Sequence, residues 1–125
     1  MENVRLNFEP SSHSRGKLLI GVAGWSLASR YADEFPPGDS HLERYAKRLN
    51  AVEINSSFYK PHRTETYARW AGTTPEGFRF AVKAPRTITH ERRLIHCDTL
   101  LERMQPRLAA LARSSACFWF NFRRR

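Results

Sequence analysis

The stretch AVEINSSFYK, residues 51–60, decides the fold of this chain. Side chains of a strand alternate between its two faces, so Val52 and Ile54 share one face. Glu53 and Asn55 share the other. Burying a carboxylate inside a sheet costs free energy unless the group is paired or used. The polar face is therefore predicted to line a site, or the inside of a barrel near its open mouth.

Outward from this stretch, apolar runs alternate with segments of helical spacing. The run LLIGVAG, residues 18–24, is apolar and closed by a glycine, which predicts a buried parallel strand. The further predicted elements are a helix over 41–49 with Ser40 as N-cap, a strand over 51–55, a helix over 64–71 with Thr64 as cap, a strand over 78–83, and a helix over 99–111 that Pro106 either kinks or begins. Strands joined by helical crossovers run parallel with the helices outside, so the predicted fold class is α/β.

Three segments of the chain are distinctive together: IGVAGWS, the block AVEINSSFYKPHRTETYARWAGTTPEGFRFAVKAPR, and ITHERRL directly after it. They resemble the YecE-like family, also called domain of unknown function 72, and the resemblance covers roughly residues 18–111. It implies a TIM-type barrel whose biochemical function is not settled. A complete barrel needs about 250 residues, and this sequence supplies only about three βα units. We therefore expect an incomplete TIM-type barrel with parallel strands.

The predicted organisation has three parts. A flexible lead-in over 1–17 precedes the N-terminal part of a YecE-like barrel domain over 18–112, and an aberrant basic, aromatic tail occupies 113–125. The tail reads SSACFWFNFRRR where the family has a segment like LGPLLVQLPPS, and we expect it to be unlike a parallel strand. One permitted set of codons gives LGLLLVQLPPS when shifted by two bases, and the single codon of Trp119 together with the codon of Phe120 forces the valine. We expect a frameshift near codon 113, which the DNA sequence tests.

The charge and the cysteines limit the possible partners and compartments. The net charge is +9, but four arginines lie in the last 13 residues, and without them 17 basic and 12 acidic residues leave +5. A surplus of that size does not by itself establish a nucleic-acid partner. No signal-peptide pattern or membrane-length apolar run is present, which predicts a cytoplasmic protein without a membrane partner. A reducing compartment disfavours a disulfide between Cys97 and Cys117.

In TIM-type barrels, sites form at the carboxyl ends of the strands and in the loops that follow. Polar groups follow each predicted strand, and their convergence on one face is the main functional signal. The candidate catalytic residues are Glu53, Lys83 and His90, and the candidate ligand-binding residues are Trp25, Asn55, Ser57, Tyr59 and Arg86. No set of metal ligands can be assembled from the sequence, and it leaves any cofactor undetermined.

Each candidate has a structural alternative. Glu53 is either a general base or metal ligand, or one partner of an internal salt bridge to Lys83 or Arg79. Lys83 either binds an anion or acts as a nucleophile, or it simply pairs with Glu53. Asn55 either orients a substrate or satisfies loop backbone groups. Trp25 either stacks on a ligand or packs over the barrel mouth.

The loop after the third predicted strand is basic. His90 is either catalytic or an ordinary solvated histidine, and the solvated interpretation is favoured. The cluster of Arg86, Arg92 and Arg93 either holds a phosphate or is a solvated charge run. His41 and His62 are expected at the surface or at caps.

The leading hypothesis is a barrel that binds or transforms a small polar or phosphorylated ligand at the carboxyl ends of its strands. The alternative is a nucleic-acid-binding protein that uses the basic loops at the barrel mouth. An interaction module would leave Glu53 and Asn55 without a role. Whether the protein is an enzyme, and its oligomeric state, stay open. Because three βα units expose a strand edge, we also expect the isolated chain to be unstable or aggregated.

Overall fold

The computed structural model describes residues 16–111, the backbone of residues 116–119, and Phe120. The predicted lead-in lies outside this part except for its last two residues. The helices are α1 (His41–Ala46), α2 (Thr64–Thr73) and α3 (Asp98–Ala110), and the strands are β1 (Ala51–Ile54), β2 (Arg79–Lys83) and β3 (Ala116–Trp119). Short 3₁₀ helices span Ser29–Glu34 and Ser56–Phe58, and a π-helical turn spans Thr87–Glu91.

The three strands form one parallel sheet in the order β1-β2-β3. Its register places Glu53 opposite Ala81 and Ile54 opposite Val82. β2 pairs in parallel with β3 on its other side. The α/β class with parallel strands joined by helical connections is therefore confirmed for this sheet.

β3 corrects the expectation for the tail. The sequence predicted that residues 113–125 would be unlike a parallel strand, yet the backbone of Ala116–Trp119 pairs in parallel with β2. Aromatic residues are favourable in strands, so a short aromatic run can occupy a place next to β2. Residues 112–115 and 121–125 lie outside the described residues.

The first predicted strand is paired but not buried. Residues 18–24, which we call the edge segment, run alongside β1 and form only one isolated bridge, between Ala23 and Glu53. Backbone hydrogen bonds link the segment to β1, including Glu53 N to Val22 O at 3.0 Å and Gly24 N to Glu53 O at 2.9 Å. Its apolar side chains are exposed, because no described element covers them. The expectation of burial was wrong.

The helices begin close to their predicted positions. Ser40 is the N-cap of α1, and its hydroxyl accepts a hydrogen bond from Glu43 N at 3.1 Å. α1 ends at Ala46, three residues before the predicted end. Thr64 is the first helical residue of α2 rather than its cap, since Arg63 occupies the N-cap position. Pro106 lies inside α3, which begins at Asp98.

The core lies between one face of the sheet and the helices. Its fully buried members come from β1, β2 and all three helices, and include Tyr45, Ile54, Tyr67, Phe80, Val82 and Met104. Phe78 packs edge-to-face on Tyr45 and Phe80, with ring centroids 6.3 Å and 5.1 Å apart. No helix among residues 16–111 has the length and apolarity needed to span a membrane.

Candidate ligand-binding site

The two faces of the sheet differ as the alternation predicted. Val52 and Ile54 are buried against the helices, at 2% and 0% exposure. Glu53 and Asn55 lie on the opposite face and are half-buried. Because Ile54 is level with Val82, the next step of the register brings Asn55 level with Lys83 at the carboxyl end of β2.

Lys83 and Asn55 are in direct contact. The Lys83 Nζ donates a hydrogen bond to Asn55 Oδ1 at 2.9 Å. The same ammonium lies 4.6 Å from the centroid of the Phe58 ring, a cation–π distance. The lysine is therefore oriented by an amide on one side and by a ring on the other, at the end of the sheet where β2 stops.

Ser57 braces this end of the sheet. It is fully buried, and its hydroxyl lies 2.8 Å from Ile54 O and 2.6 Å from Lys83 O. The single hydroxyl hydrogen can donate to either carbonyl or be shared between them, so Ser57 links the ends of the two strands. The geometry thus gives Ser57 a structural task, and contact between Ser57 and a ligand stays a prediction.

His90 reaches the same place from the following loop. Its ring packs edge-to-face on Phe58, with centroids 5.1 Å apart. Thr89 Oγ1 lies 2.8 Å from His90 Nδ1, which orients the imidazole. The sequence favoured a solvated histidine at this position. In the structure the His90 side chain is half-buried and packs on Phe58. The π-helical turn Thr87–Glu91 positions it, and such turns occur often at functional sites.

The basic residues of this loop face outward. Arg86 Nε pairs with Glu91 Oε1 at 3.1 Å, and both side chains are about half exposed at 52%. Arg92 and Arg93 are exposed. The backbone is strained where the loop turns, since Arg93, Leu94 and His96 have φ values of 50°, 66° and 52°.

Glu53 does not form the ion pair that the sequence offered as its alternative role. Within the described part of the chain, its carboxylate has no ion pair and no side-chain hydrogen bond. The reason is the register, which sets Glu53 opposite Ala81 and leaves Asn55, not Glu53, beside Lys83. The expected pairing of Lys83 with Glu53 was therefore wrong.

Trp25 and Tyr59 have different surroundings. Trp25 packs against Trp70 with ring centroids 4.8 Å apart, and it contacts the core. This is the packing alternative for Trp25. The Tyr59 ring is 73% exposed and meets Phe58 edge-to-face at 5.2 Å. Tyr59 thus extends the aromatic surface around Lys83 toward solvent.

A second cluster, around His62, was missed by the sequence reasoning. The His62 ring packs on Trp70 and Tyr67 at 5.0 Å and 5.9 Å, and its Nε2 lies 2.6 Å from Ser56 Oγ. Burial lowers the pKa of His62 and raises the pKa of Tyr67. The sequence did contain a sign of this cluster, because His62 lies only a few residues after the end of a predicted strand. We had instead expected His62 at the surface or at a helix cap.

The part of the chain that the structure describes was also searched for a metal centre. Among residues 16–111 no group of three or more acidic, histidine or cysteine side chains could hold a metal ion. Cys97 is a buried free thiol. An open depression near α1 is lined by Asp33, Phe35 and Arg44 among others, but the Arg44 guanidinium already donates to the carbonyl groups of Ala32, Phe35 and Pro36.

A parallel sheet with helices on one face and polar side chains at its carboxyl end defines an α/β protein with a potential ligand site. The family model described as "Protein of unknown function DUF72" matches residues 19–125. The chain belongs to the DUF72 family. This match extends through the tail, past the boundary at residue 112 that the sequence suggested.

The relatives agree with that membership. The chain is 38% identical over 104 residues to the UPF0759 protein YecE of Escherichia coli K12, covering 83% of this chain and 37% of the relative. It is 31% identical over 86 residues to the UPF0759 protein YunF of Bacillus subtilis, covering 66% of this chain and 29% of the relative. A crystal structure of a DUF72 family protein from Enterococcus faecalis V583 matches with a TM-score of 0.53 at 26% identity, over 76% of this chain and 34% of that one. The chain thus spans about a third of the length of its relatives.

Proposed function

We propose that the carboxyl end of the sheet binds a small anionic ligand, of which a phosphorylated metabolite is the simplest example. The contact between Lys83 Nζ and Asn55 Oδ1 at 2.9 Å carries this proposal. It places a cation, held by an amide, at the strand ends where α/β proteins bind ligands. An ammonium is a point charge that binds phosphate readily.

The neighbouring groups complete the proposed site. His90 and Tyr59 each pack edge-to-face on Phe58, the ring that the Lys83 ammonium contacts, so aromatic surface lies beside the cation. A ring environment excludes water and strengthens the interaction between an anion and Lys83. Arg86 is held by Glu91 and would contribute at longer range. Catalytic roles for Glu53, Lys83 and His90 belong to this proposal, with Glu53 as the general base.

The experiment is a titration of the 125-residue chain with inorganic phosphate and ribose 5-phosphate, followed by calorimetry or NMR shifts. Lys83→Met keeps the length of the side chain and removes its charge. We expect this change to weaken binding by about tenfold or more, the worth of a charge-assisted hydrogen bond.

Lys60→Met is the matched control, since Lys60 is exposed and directly follows Tyr59, one of the candidate site residues, in the sequence. It removes the same net charge without the contact to Asn55. Equal weakening by both changes would mean that binding follows net charge alone, and the proposed site would be wrong. Absence of binding by the unchanged chain, once circular dichroism and light scattering show it folded and monomeric, would also count against the proposal.

The finer architecture is part of the proposal. We infer that the edge segment, β1, β2 and β3 are consecutive strands of a TIM-type barrel. The parallel order, the polar inner face and the likeness to a DUF72 crystal structure support this inference. The frameshift near codon 113 stays a prediction that only the DNA sequence tests, and the backbone pairing of β3 neither requires nor opposes it.

Nucleic-acid binding through the basic loop is the competing proposal. Its support is the exposure of Arg92 and Arg93 beside the strained turn. Binding of oligonucleotides that falls steeply with salt, and weakens on Arg92→Ala or Arg93→Ala, would favour it. Unchanged behaviour in both tests would exclude it.

A further inference from the structure

The polar face of the sheet, which carries Glu53 and Asn55, has room around the Glu53 carboxylate. Residues paired across parallel strands point to the same face, and Glu53 pairs with Ala81 on one side and bridges to Ala23 on the other. Both neighbours are alanines, whose methyl groups reach only a short way from the backbone. Glu53 is half-buried, and within the described part of the chain its carboxylate has no ion pair and no side-chain hydrogen bond. Among these residues, nothing competes with a ligand for its oxygens.

The carboxylate lies one strand repeat away from the cation of the proposed site. Asn55 follows Glu53 by two residues on the same face, and Asn55 Oδ1 accepts a hydrogen bond from Lys83 Nζ at 2.9 Å. Two residues of a parallel strand advance the chain by about 6.6 Å. A ligand that contacts both groups therefore needs an anion at one end and hydrogen-bond donors several bonds away from it.

Aromatic surface lies beside the same cation. The Lys83 ammonium is 4.6 Å from the centroid of Phe58, and the Tyr59 ring packs on Phe58 at an interplanar angle of 84°. Because the two rings are nearly perpendicular, Phe58 can cover no more than one face of Tyr59, which is 73% exposed. An open aromatic face accepts the C–H surface of a sugar, while the hydroxyl groups of the sugar bond to polar side chains.

We propose that the ligand of this site is a hydroxylated phosphate ester, such as a sugar phosphate, and that Glu53 binds its hydroxyl groups. This inference rests on the anion site proposed above, in which Lys83 holds the phosphate. A carboxylate accepts hydrogen bonds from neighbouring hydroxyl groups on both of its oxygens, and it repels a phosphate that has no such groups. Glu53 thus selects esters with hydroxyl groups several bonds from the phosphorus over simple phosphate anions.

The test compares ribose 5-phosphate with methyl phosphate, a monoester of the same charge without hydroxyl groups, by calorimetry on the 125-residue chain. We expect ribose 5-phosphate to bind about tenfold more tightly, the worth of a charge-assisted hydrogen bond.

Glu53→Ala removes the hydroxyl contact and the repulsion together. It should weaken ribose 5-phosphate by about fivefold, because the lost contact outweighs the relieved repulsion. It should tighten methyl phosphate by about twofold, because only the repulsion by a charge roughly 7 Å away is lost. A purely electrostatic role of Glu53 would move both affinities in the same direction.

Two further variants separate contact from charge. Glu53→Gln keeps an acceptor oxygen of the same reach without the charge, and since a neutral hydrogen bond is about half as strong, it should retain part of the preference. Glu76→Ala is the matched control, because Glu76 is exposed and precedes β2, at the opposite end of that strand from Lys83. It removes the same charge and should leave both affinities unchanged.

The outcomes distinguish this inference from the proposed function. If Lys83→Met weakens both esters while Glu53→Ala shifts both alike or changes neither, the hydroxyl contact is wrong and the anion site stands. If neither ester binds in a way that depends on Lys83, the proposed function fails and this inference fails with it. Tighter binding of aminobutyl phosphate than of ribose 5-phosphate, lost in Glu53→Ala, would overturn the assignment of hydroxyl groups in favour of an amine.

Discussion

Ile54 and Ile20 lie in neighbouring segments of the same sheet, yet Ile54 is fully buried and Ile20 is 54% exposed. Both residues are isoleucines, and backbone hydrogen bonds join their two segments in parallel. The difference is what covers them, because helices α1 and α2 supply core residues against β1, and no described element covers residues 18–24. Backbone pairing within the sheet and burial of side chains are thus separate contributions to the stability of this molecule.

The difference also concerns how each region is held. β1 and β2 are joined by backbone hydrogen bonds, a common core and the Ser57 hydroxyl. The edge segment depends on backbone bonds to β1 and on the side chains of Tyr45 and Asn50. Since little apolar area is buried there, the edge segment should open at lower free energy than β1.

Replacing an isoleucine by alanine in β1 and in the edge segment should give the largest difference in the free energy of unfolding. Ile54→Ala removes buried methyl groups from the core and should lower the free energy of unfolding by about 2–5 kcal/mol. Ile20→Ala removes exposed groups and should cost less than about 1 kcal/mol. Urea denaturation followed by circular dichroism measures both. Similar costs would mean that residues 18–24 are covered in solution, for example by a partner or by a second copy.

A glycine pair tests the close approach of the edge segment to β1. A Cβ on Gly21 would lie 2.0 Å from the Ala51 carbonyl oxygen, which must force the two segments apart. We expect Gly21→Ala to cost about 1–3 kcal/mol, the usual range for overpacking. Gly72→Ala is the control, because a Cβ there meets nothing within 4 Å inside α2. It should stabilise the chain by about 0.5–1 kcal/mol, and a stable Gly21→Ala variant would contradict the close approach.

The Ser57 hydroxyl, which links the carboxyl ends of β1 and β2, can be removed by a single substitution. Ser57→Ala leaves the carbonyl groups of Ile54 and Lys83 without the buried hydroxyl and should cost about 1–2 kcal/mol. It should also weaken ligand binding modestly by loosening the strand ends. Ser26→Ala, at an exposed position, is the control. An unchanged melting temperature for Ser57→Ala would mean that a water replaces the hydroxyl without loss.

Local patterns predicted much of this fold. The strands predicted over 51–55, from alternation, and over 78–83 lie close to β1 and β2, and Ser40 with Glu43 predicted the start of α1. These features depend on residues a few positions apart, so one sequence is enough to find them. The motif blocks predicted the family, which the matching family model confirms.

Contacts between distant residues could not be predicted in the same way. The partner of Lys83 depends on the register between β1 and β2, and a shift of two residues would set Glu53 rather than Asn55 beside it. The buried hydroxyl of Ser57 and the packing of His90 on Phe58 depend on how loops fold back on strand ends. The exposure of residues 18–24 depends on which elements cover them, and an apolar run carries no information about that.

The smallest expected effect is a dependence of stability on pH at His62. Burial lowers the pKa of His62, because the charged imidazolium loses hydration beside Trp70 and Tyr67. The unfolded chain then binds more protons than the folded chain as the pH falls below about 6.5, the ordinary histidine value. The free energy of unfolding should therefore decrease as the pH falls from neutral toward 5, and this contribution vanishes above that range because both states are then neutral at His62.

Thermal melts at pH 7.5 and pH 5 measure this effect. His62→Gln keeps a polar group near Ser56 and removes the titration, so its melting temperature should fall less between the two pH values than that of the unchanged chain. His41→Gln, at an exposed position in the first turn of α1, should retain the original dependence. If His62→Gln loses as much stability on acidification as the unchanged chain, the proton is taken up elsewhere and the His62 cluster does not set the acid sensitivity of the fold.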